Sequence, residues 1–396
     1  MKNARIVSFR DRRPLHRLFA CLAGEARPFL LESGRDVAGM GRYSFFGSDP
    51  FCVVTVRAGR CTVEQEGRLS CAPGTGLDVL RGLLRRWRLD TPAPPGRGPM
   101  AAPFLGGAVG FLAYDFGFSL ESAVSRRHAP VSTTPELCFA FYDTVFIKDH
   151  RTGRLSAVST GFPETRGHLR RLRARERLAR FLKRCGSPDG PGSRPPGPGL
   201  QGRLCANFTP EGYRAAVRRA KEFIARGDIY QVNLAQRFHA AARFDPWALY
   251  RALSRRFPVS FGAYLRGQDY ALLSASPERF LRCVGSRVTT RPMKGTRPRT
   301  PSARANRRLY RELVRDAKEK AELLMIVDLE RNDLGRVCDY ASVRVDEMRT
   351  IERYAGVYQA TAQVSGVLHR SRDRLDLLAA CFPGGSVTGC PKIRAM

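Results

Sequence analysis

The sequence has little acidic charge, few lysines and no long apolar run, and each shortage excludes a class of protein. Asp and Glu number 36 against 68 Lys and Arg, so the formal net charge is +32, and only eight of the 68 are lysines. The apolar run around 104–114 is broken by glycines and is too short for a membrane span. The N-terminus lacks the apolar core of a secretion signal. We therefore expect a cytoplasmic protein with no membrane segment.

Cysteine pairs are also missing. The 11 cysteines are scattered, and none forms a Cys-x-x-Cys pair or a Cys/His cluster at zinc spacing. Single cysteines in a large chain are typical of a reduced, intracellular protein. We find no internal repeat at the periods of solenoid proteins. These absences exclude a zinc module and a repeat protein.

The pattern of the chain predicts its fold class. Its 396 residues, 43% of them apolar, suffice for two domains or one large one. Strand-like runs at 51–56 and 138–147 and helical patterns at 210–226 and 302–329 occur without strict alternation. Such an arrangement predicts an α+β architecture.

A stretch at 186–203 is dominated by Pro, Gly and Ser, a composition typical of a flexible linker. It divides the chain into a region 1–185 and a region 204–396.

The positive charge raises a binding hypothesis. A basic amphipathic helix is predicted at 166–184, and it is the best candidate for contact with nucleic acid or an anionic membrane. The alternative, which we favour, is a solvated helix that covers a sheet with one face. Because arginines are spread over both halves of the chain, we expect neither nucleic acid nor a membrane as a partner.

One acidic residue, Glu322, lies among apolar residues of the predicted 302–329 helix. A buried charge needs a partner, because an unpaired one costs several kcal/mol. Lys318, four residues earlier, is one candidate partner and a divalent metal is the other. Spacing alone favours the ion pair. The residues 332–335 are predicted to form the turn that ends the helix.

Two further residues are candidates for catalysis. Lys294 precedes Gly295 between two prolines, on a predicted loop where a ligand could approach closely. It could act as a nucleophile if its pKa, ordinarily about 10.4, were lowered; the alternative is a solvated surface lysine. Glu278 begins a strand-like run and could serve as a general acid or base, with a surface turn as the alternative.

The glycine-rich stretch at 382–394 leads into a predicted helix with Pro391 in its first turn. Backbone N–H groups there could bind a small carboxylate, and a plain tight turn is the alternative. Cys390 and Pro391 stand where a Walker A loop requires Lys and Ser/Thr, which excludes that nucleotide site.

In this order the segments resemble the chorismate-utilising enzymes, and among them the aminodeoxychorismate synthase component I branch. The resemblance implies an anthranilate synthase component I-like fold, in which two large antiparallel sheets pack together with peripheral helices. Region 1–185 would be the N-terminal part of that fold and region 204–396 the chorismate-binding catalytic part. The matching segments are FLLESGRD (29–36), RYSFFG (42–47), PFLGGAVGFLAYDFG (103–117), GDIYQVNLAQRF (227–238), SASPERFL (274–281), TRPMKGTRPR (290–299), KAELLMIVDLERNDLGRV (320–337) and FPGGSVTGCPKIRAM (382–396).

Three positions bear on the reaction that the resemblance implies. Lys294 resembles the covalent lysine of aminodeoxychorismate synthases, where anthranilate synthases have alanine. Gln359 stands where anthranilate synthases carry a histidine linked to pyruvate elimination. Gln231 stands where water-using isochorismate and salicylate synthases carry a lysine base. The implied reaction is amination of chorismate for para-aminobenzoate and folate biosynthesis; the alternatives are anthranilate synthase component I and an inactive fragment.

The resemblance also implies residue roles. Lys294 would attack chorismate, Glu278 would protonate the leaving hydroxyl, and Glu322 would hold part of a Mg²⁺ cofactor. Ammonia would come from a separate glutamine amidotransferase subunit, with which the chain would form a heterodimer. Other positions resemble substrate-contacting ones, namely Gly295, Thr296, Gln359 and Ser386.

Two departures from the family pattern affect what we expect. Ser33 resembles the serine of the family's tryptophan pocket, but Ser260 replaces a proline usual in that pocket, which weakens the case for tryptophan as an effector. Family chains also continue past the position of Met396. The further stretch would carry a second magnesium glutamate, a substrate-binding arginine, a glycine-rich loop and closing strands. The resemblance therefore predicts a truncated chain with weak or no activity.

Overall fold

The computed structural model describes residues 4–34, 36, 39–88, 103–124, 134–186, 202–354 and 356–396. Most of the predicted linker at 186–203 lies outside these residues. The α-helices of the described residues are α1 (Leu15–Ala20), α2 (Gly76–Arg86), α3 (Gly167–Gly186), α4 (Pro210–Ala225), α5 (Pro246–Arg256), α6 (Ala303–Arg315), α7 (Ala317–Gly335), α8 (Arg374–Cys381) and α9 (Lys392–Ala395). Short 3₁₀ helices lie at Tyr114–Ser119 and Gly385–Val387.

The β-strands of the same residues form one seven-stranded sheet, two five-stranded sheets and two short pairs. They are β1 (Arg5–Arg10), β2 (Phe29–Glu32), β3 (Tyr43–Gly47), β4 (Cys52–Arg57), β5 (Arg60–Gln65), β6 (Arg68–Cys71), β7 (Gly107–Leu112), β8 (Leu137–Tyr142), β9 (Thr144–Asp149), β10 (Arg154–Ser159), β11 (Cys205–Ala206), β12 (Gln231–Val232), β13 (Phe238–His239), β14 (Phe261–Arg266), β15 (Ala271–Ser276), β16 (Arg279–Val284), β17 (Arg287–Arg291), β18 (Met293–Pro298), β19 (Arg344–Arg353), β20 (Val357–Val367) and β21 (Gly389–Cys390).

Contacts divide the chain into two compact units. The N unit comprises Met1–Phe116, His128–Pro195 and Asp245–Pro277, and the C unit comprises Gly117–Arg127, Pro196–Phe244 and Glu278–Met396. The division into regions 1–185 and 204–396 stays a prediction. In the structure, the segment Asp245–Pro277 packs with the N unit.

The N unit contains two antiparallel sheets. One has seven strands in the order β1-β10-β9-β3-β2-β14-β15, and the other has five in the order β6-β5-β4-β8-β7. Apolar side chains from both sheets form one buried cluster, which includes Phe29 and Val145 of the first sheet and Val53 and Val109 of the second. The expected pair of sheets packed together is thus present within this unit.

The predicted single strand at 138–147 is instead two strands, β8 and β9, which belong to different sheets. The chain changes sheet at Asp143, which is fully buried and pairs with Arg177 of α3 at 3.0 Å. Helix α3 packs its apolar residues, among them Leu178 and Phe181, against the seven-stranded sheet. The favoured interpretation of the basic helix, which covers a sheet with one face, is therefore confirmed.

The C unit is built on a five-stranded antiparallel sheet. Strand β20 pairs with β17, β18 and β19, and β16 pairs with β17. Helices α6, α7 and α8 supply Leu313, Val327 and Leu377 to the core against this sheet. With helices and antiparallel sheets in both units, the chain has the predicted α+β fold. None of the described helices combines the length and apolar character that crossing a membrane requires.

The predicted helix at 302–329 is two helices, because the chain breaks at Asp316. Asp316 has an extended ψ of 111°, and its carboxylate accepts a hydrogen bond from the Glu319 N–H at 3.0 Å, which caps α7. The predicted turn at 332–335 is also wrong. Helix α7 continues through Gly335, and Asp333 is a buried residue of its last turn.

Candidate active site

Lys294 lies on strand β18 and not on the predicted loop. Its strand pairs with β20, where Lys294 lies opposite Ala360 and Thr296 opposite Gln359, and the register shifts at Gly295. Gly295 has a φ of +83°, and a Cβ there would lie 2.8 Å from Glu319 Oε2. Glycine therefore permits a β-bulge directly after the lysine.

The amine of Lys294 is half-buried and bound, which differs from a solvated surface lysine. Its Nζ donates to the Ser386 carbonyl oxygen at 3.2 Å. The same oxygen accepts a hydrogen bond from Asn233 Nδ2 at 2.8 Å. Ser386 belongs to the 3₁₀ turn Gly385–Val387, so the glycine-rich segment positions the lysine through its backbone.

Glu278 contacts the same residue, Ser386. The residue directly precedes β16, and its carboxylate accepts hydrogen bonds from the Ser386 side chain and the Met293 N–H. Burial raises the pKa of Glu278 above its usual value, although both hydrogen bonds and the positive charge of Lys294 oppose that rise. Glu278 is therefore a carboxyl that holds its proton to higher pH, as a general acid requires.

A second carboxyl, Glu330, lies close enough to Glu278 to interact with its charge. It is almost fully buried in α7 and accepts a hydrogen bond from Thr290 Oγ1 at 3.2 Å. Burial, followed by the negative charge of Asp333, raises the pKa of Glu330 to about 8. Near neutral pH the side chain is thus mainly a neutral acid.

One helical turn later, Asp333 forms a buried ion pair. Lys392 Nζ donates to Asp333 Oδ2 at 2.5 Å and to the Cys381 carbonyl at 3.0 Å, and both charged side chains are about 5% exposed. Burial raises the pKa of Asp333 to about 6 against the opposing effect of Lys392. This pair holds the start of α9 against α7.

Glu322, the predicted magnesium ligand, has a more open position. Its side chain is one-third exposed and pairs with the exposed Lys318 at 3.7 Å, so the ion pair favoured by the spacing is present. Within the described residues, no group of three or more His, Cys, Asp or Glu could hold a metal. Mg²⁺ is often held by one or two carboxylates, water and substrate. A carboxylate that is one-third exposed and has a weak partner fits such a partial site.

The remaining predicted substrate positions lie near Lys294 on the sheet. Thr296 is exposed on β18, directly opposite the partly buried Gln359.

Gln231 lies in a separate two-stranded sheet, where β12 pairs with β21 and Gln231 lies opposite Cys390. Its Oε1 is buried and has no hydrogen-bond partner among the residues that the structure describes.

Ser33 lies in the N unit, at the end of β2. Its Oγ donates to the Tyr43 carbonyl at 2.8 Å and lies 3.3 Å from the Ser260 carbonyl. The structure therefore brings together the two serines that the sequence associated with the tryptophan pocket. Tryptophan binding itself stays a prediction.

Sequence reasoning missed Asn233, Glu330, Asp333 and Lys392 as members of this region. The burial of Glu330 could have been predicted from the sequence. The residue follows the buried Leu323, Ile326 and Val327 at the three- and four-residue spacing that places side chains on one face of a helix. Glu322 falls outside that stripe, which explains its exposure.

A cavity of about 770 Å³ also borders α7. It is lined mostly by apolar side chains, including Leu324, Met325 and Ile393, and the Asp333–Lys392 pair lies at its wall. Neither Lys294 nor Glu278 lines it. The cavity is therefore separate from the cluster in which Lys294 and Glu278 contact Ser386.

Comparisons with known proteins show which chains this one is similar to. Anthranilate synthase component 1 of Thermus thermophilus is 40% identical over 319 residues, which cover 81% of this chain and 66% of that protein. Aminodeoxychorismate synthase component 1 of Bacillus subtilis is 33% identical over 369 residues, covering 93% and 75%. The crystal structure of anthranilate synthase component I from Streptococcus pneumoniae has a TM-score of 0.74 at 27% identity, covering 89% and 75%.

This chain thus spans only part of each relative's length. The family model for chorismate binding enzyme matches residues 52–396, which include every residue of the cluster. The chain belongs to the chorismate binding enzyme family.

Proposed function

We propose that this chain is component I of an aminodeoxychorismate synthase, which converts chorismate and ammonia to 4-amino-4-deoxychorismate and water. The observation that carries the proposal is the meeting of an amine and a carboxyl at one serine, since both Lys294 and Glu278 bond to Ser386. Relatives named aminodeoxychorismate synthase component 1, at 33% and 34% identity, support it.

In the first step, the neutral amine of Lys294 attacks ring carbon C2. The ring double bond shifts, and the C4 hydroxyl leaves as water after it takes the proton of Glu278. The raised pKa of Glu278 suits this donation, because the carboxyl holds its proton to higher pH than an unperturbed glutamate does.

In the second step, ammonia adds at C4. The double bond shifts back, and the C2–N bond to Lys294 breaks and frees the lysine. The incoming nitrogen loses one proton, which Glu278 recovers. The buried Gln231 Oε1 lacks a partner among the described residues and is an acceptor suited to an N–H of ammonia.

Two further components are part of the proposal. Glu322 would hold Mg²⁺, which when bound supplies positive charge for a substrate carboxylate. A glutamine amidotransferase subunit would deliver the ammonia, consistent with the name "component 1" of the relatives.

Anthranilate synthase component I is the second candidate. The 40% identity to the Thermus thermophilus protein of that name favours it. Lys294 and Gln359 favour amination without elimination, because the family resemblance associates anthranilate formation with alanine and histidine at these positions.

The product distinguishes the candidates. The full gene product that carries this chain is incubated with chorismate, ammonium and Mg²⁺. The products are then separated and identified by mass spectrometry. We expect an amino product that keeps the enolpyruvyl group, with no pyruvate released. One pyruvate per chorismate would identify an anthranilate synthase. Unchanged chorismate would contradict both candidate functions and support the third alternative, an inactive fragment.

A further inference from the structure

Two cysteines of the N unit lie side by side although they are far apart in sequence. Cys21 caps the C-terminus of α1 and Cys185 lies in the last turn of α3. Their Sγ atoms are 2.8 Å apart across a separation of 164 residues. A disulfide bond is about 2.05 Å long, so the two sulfur atoms need to approach by less than about 1 Å.

The surroundings distinguish the two thiols. Cys21 is partly exposed, whereas Cys185 is 5% exposed. The hydrogen bond between the two thiols lowers the pKa of Cys21, while the same bond and burial raise the pKa of Cys185. The Arg13 guanidinium donates to the Cys185 carbonyl at 2.6 Å and places positive charge near both thiols. Cys21 is thus the accessible, more nucleophilic partner.

We propose that Cys21 and Cys185 form an oxidation-sensitive pair, which hydrogen peroxide converts to a disulfide that joins α1 to α3. The Cys21 thiolate attacks one peroxide oxygen, the O–O bond breaks, and a sulfenic acid and hydroxide form; the hydroxide becomes water when it takes up the proton that the Cys21 thiol released. The Cys185 sulfur then attacks the Cys21 sulfur, the S–O bond breaks, and a second water leaves. Two thiols lose two electrons and two protons, and the peroxide is reduced to two waters.

The sequence predicts a reduced protein, in which disulfides are typically transient and redox-sensing. A bond between Cys21 and Cys185 would close a loop across most of the N unit. Closure of so long a loop restricts the unfolded chain strongly, so oxidation is expected to raise the melting temperature.

The test uses the full chain, reduced and then treated with hydrogen peroxide. Trypsin should release residues 18–35 and 185–203, each with a single cysteine. We expect these peptides to appear joined and lighter by two hydrogen atoms, and the melting temperature to rise by several degrees. Separate peptides, under conditions that oxidise the exposed Cys71, would overturn the proposal.

Three variants sharpen the test. Cys21→Ser and Cys185→Ser should each abolish the joined peptide and the rise in melting temperature. Cys71→Ser, which removes an exposed cysteine, should leave both unchanged. Since serine is close in size to cysteine, the reduced variants are expected to fold, and their reduced melting temperatures serve as the reference. A thermal shift that persists in Cys21→Ser would contradict the assigned pair.

Discussion

Two lysines of the C unit form different kinds of polar contact. Lys392 is buried and holds the carboxylate of Asp333 at 2.5 Å. Lys294 is half-buried, and its hydrogen bond goes to an uncharged acceptor, the Ser386 carbonyl, at 3.2 Å. The difference fits the proposed roles, in which Lys392 is structural and Lys294 is the nucleophile, because an amine held in a buried ion pair cannot reach a substrate.

The carboxyls follow the same division. All three carboxyls have raised pKa values, but Asp333 is paired with Lys392, whereas Glu278 and Glu330 accept hydrogen bonds from hydroxyls.

The largest expected effect is on Lys294. Lys294→Ala should lower the rate of product formation from chorismate by at least about 10³-fold, because the nucleophile is lost. Lys294→Arg keeps the charge but cannot be neutralised, so the loss should be as large. Product assays check both variants, with unchanged melting temperatures as the control. Substantial activity in Lys294→Arg would show that charge, and not nucleophilic attack, is what matters.

Replacement of the second lysine should act on stability. Lys392→Met leaves Asp333 buried without its partner, and should lower the free energy of unfolding by about 3–5 kcal/mol. Urea denaturation measures the change, and Lys392→Met with Asp333→Asn should recover part of it. Arg331→Ala is the control, since Arg331 and Asp328 form an exposed pair worth at most about 1 kcal/mol. Equal losses for Arg331→Ala and Lys392→Met would remove the distinction between buried and exposed pairs.

The pH dependence of stability should reveal Glu330. Its pKa is about 8 in the folded protein against 4.5 as reference. Between these values the folded chain keeps a proton that the unfolded chain has released, so stability falls as pH rises, with each pKa unit worth about 1.4 kcal/mol. Glu330→Gln, neutral throughout, should lack this component in urea titrations from pH 4.5 to 8. Parallel curves for the wild type and the variant would contradict the raised pKa.

The smallest effect is expected at a third lysine, Lys318. Its exposed pair with Glu322 is weak, so Lys318→Ala should change the unfolding free energy by at most about 1 kcal/mol. The Mg²⁺ concentration for half-maximal activity should stay unchanged in this variant, whereas Glu322→Gln should raise it at least about tenfold. An equal Mg²⁺ dependence in the two variants would exclude Glu322 as the ligand.

Much of the fold could be predicted from local sequence pattern. The helix at 210–226 is present as α4, because a Thr cap, a proline in the first turn and Gly227 mark its ends. Patterns failed where a single aspartate ends one element and the next begins directly after it. Asp143 separates two strands and Asp316 separates two helices, and each does so through a hydrogen-bonded carboxylate that periodicity does not register.

The site was predictable in its residue types and less so in its geometry. Lys294 and Glu278 were candidates from their local sequence, the family resemblance implied their roles, and the structure brings both to Ser386. The Asp333–Lys392 pair joins residues 59 positions apart, and no local pattern links them. Long-range ion pairs of this kind depend on how helices pack on the sheet.

The most direct test of Lys294 as the reactive amine is a search for its covalent bond to the substrate. The full gene product is treated with chorismate and Mg²⁺ without ammonia, digested, and mapped by mass spectrometry. We expect a chorismate-derived adduct on the peptide that contains Lys294, no adduct at Lys392, and loss of the adduct when ammonia is added. If the Lys294→Ala variant forms the amino product at the wild-type rate and the wild-type enzyme carries no adduct, Lys294 is not the reactive amine.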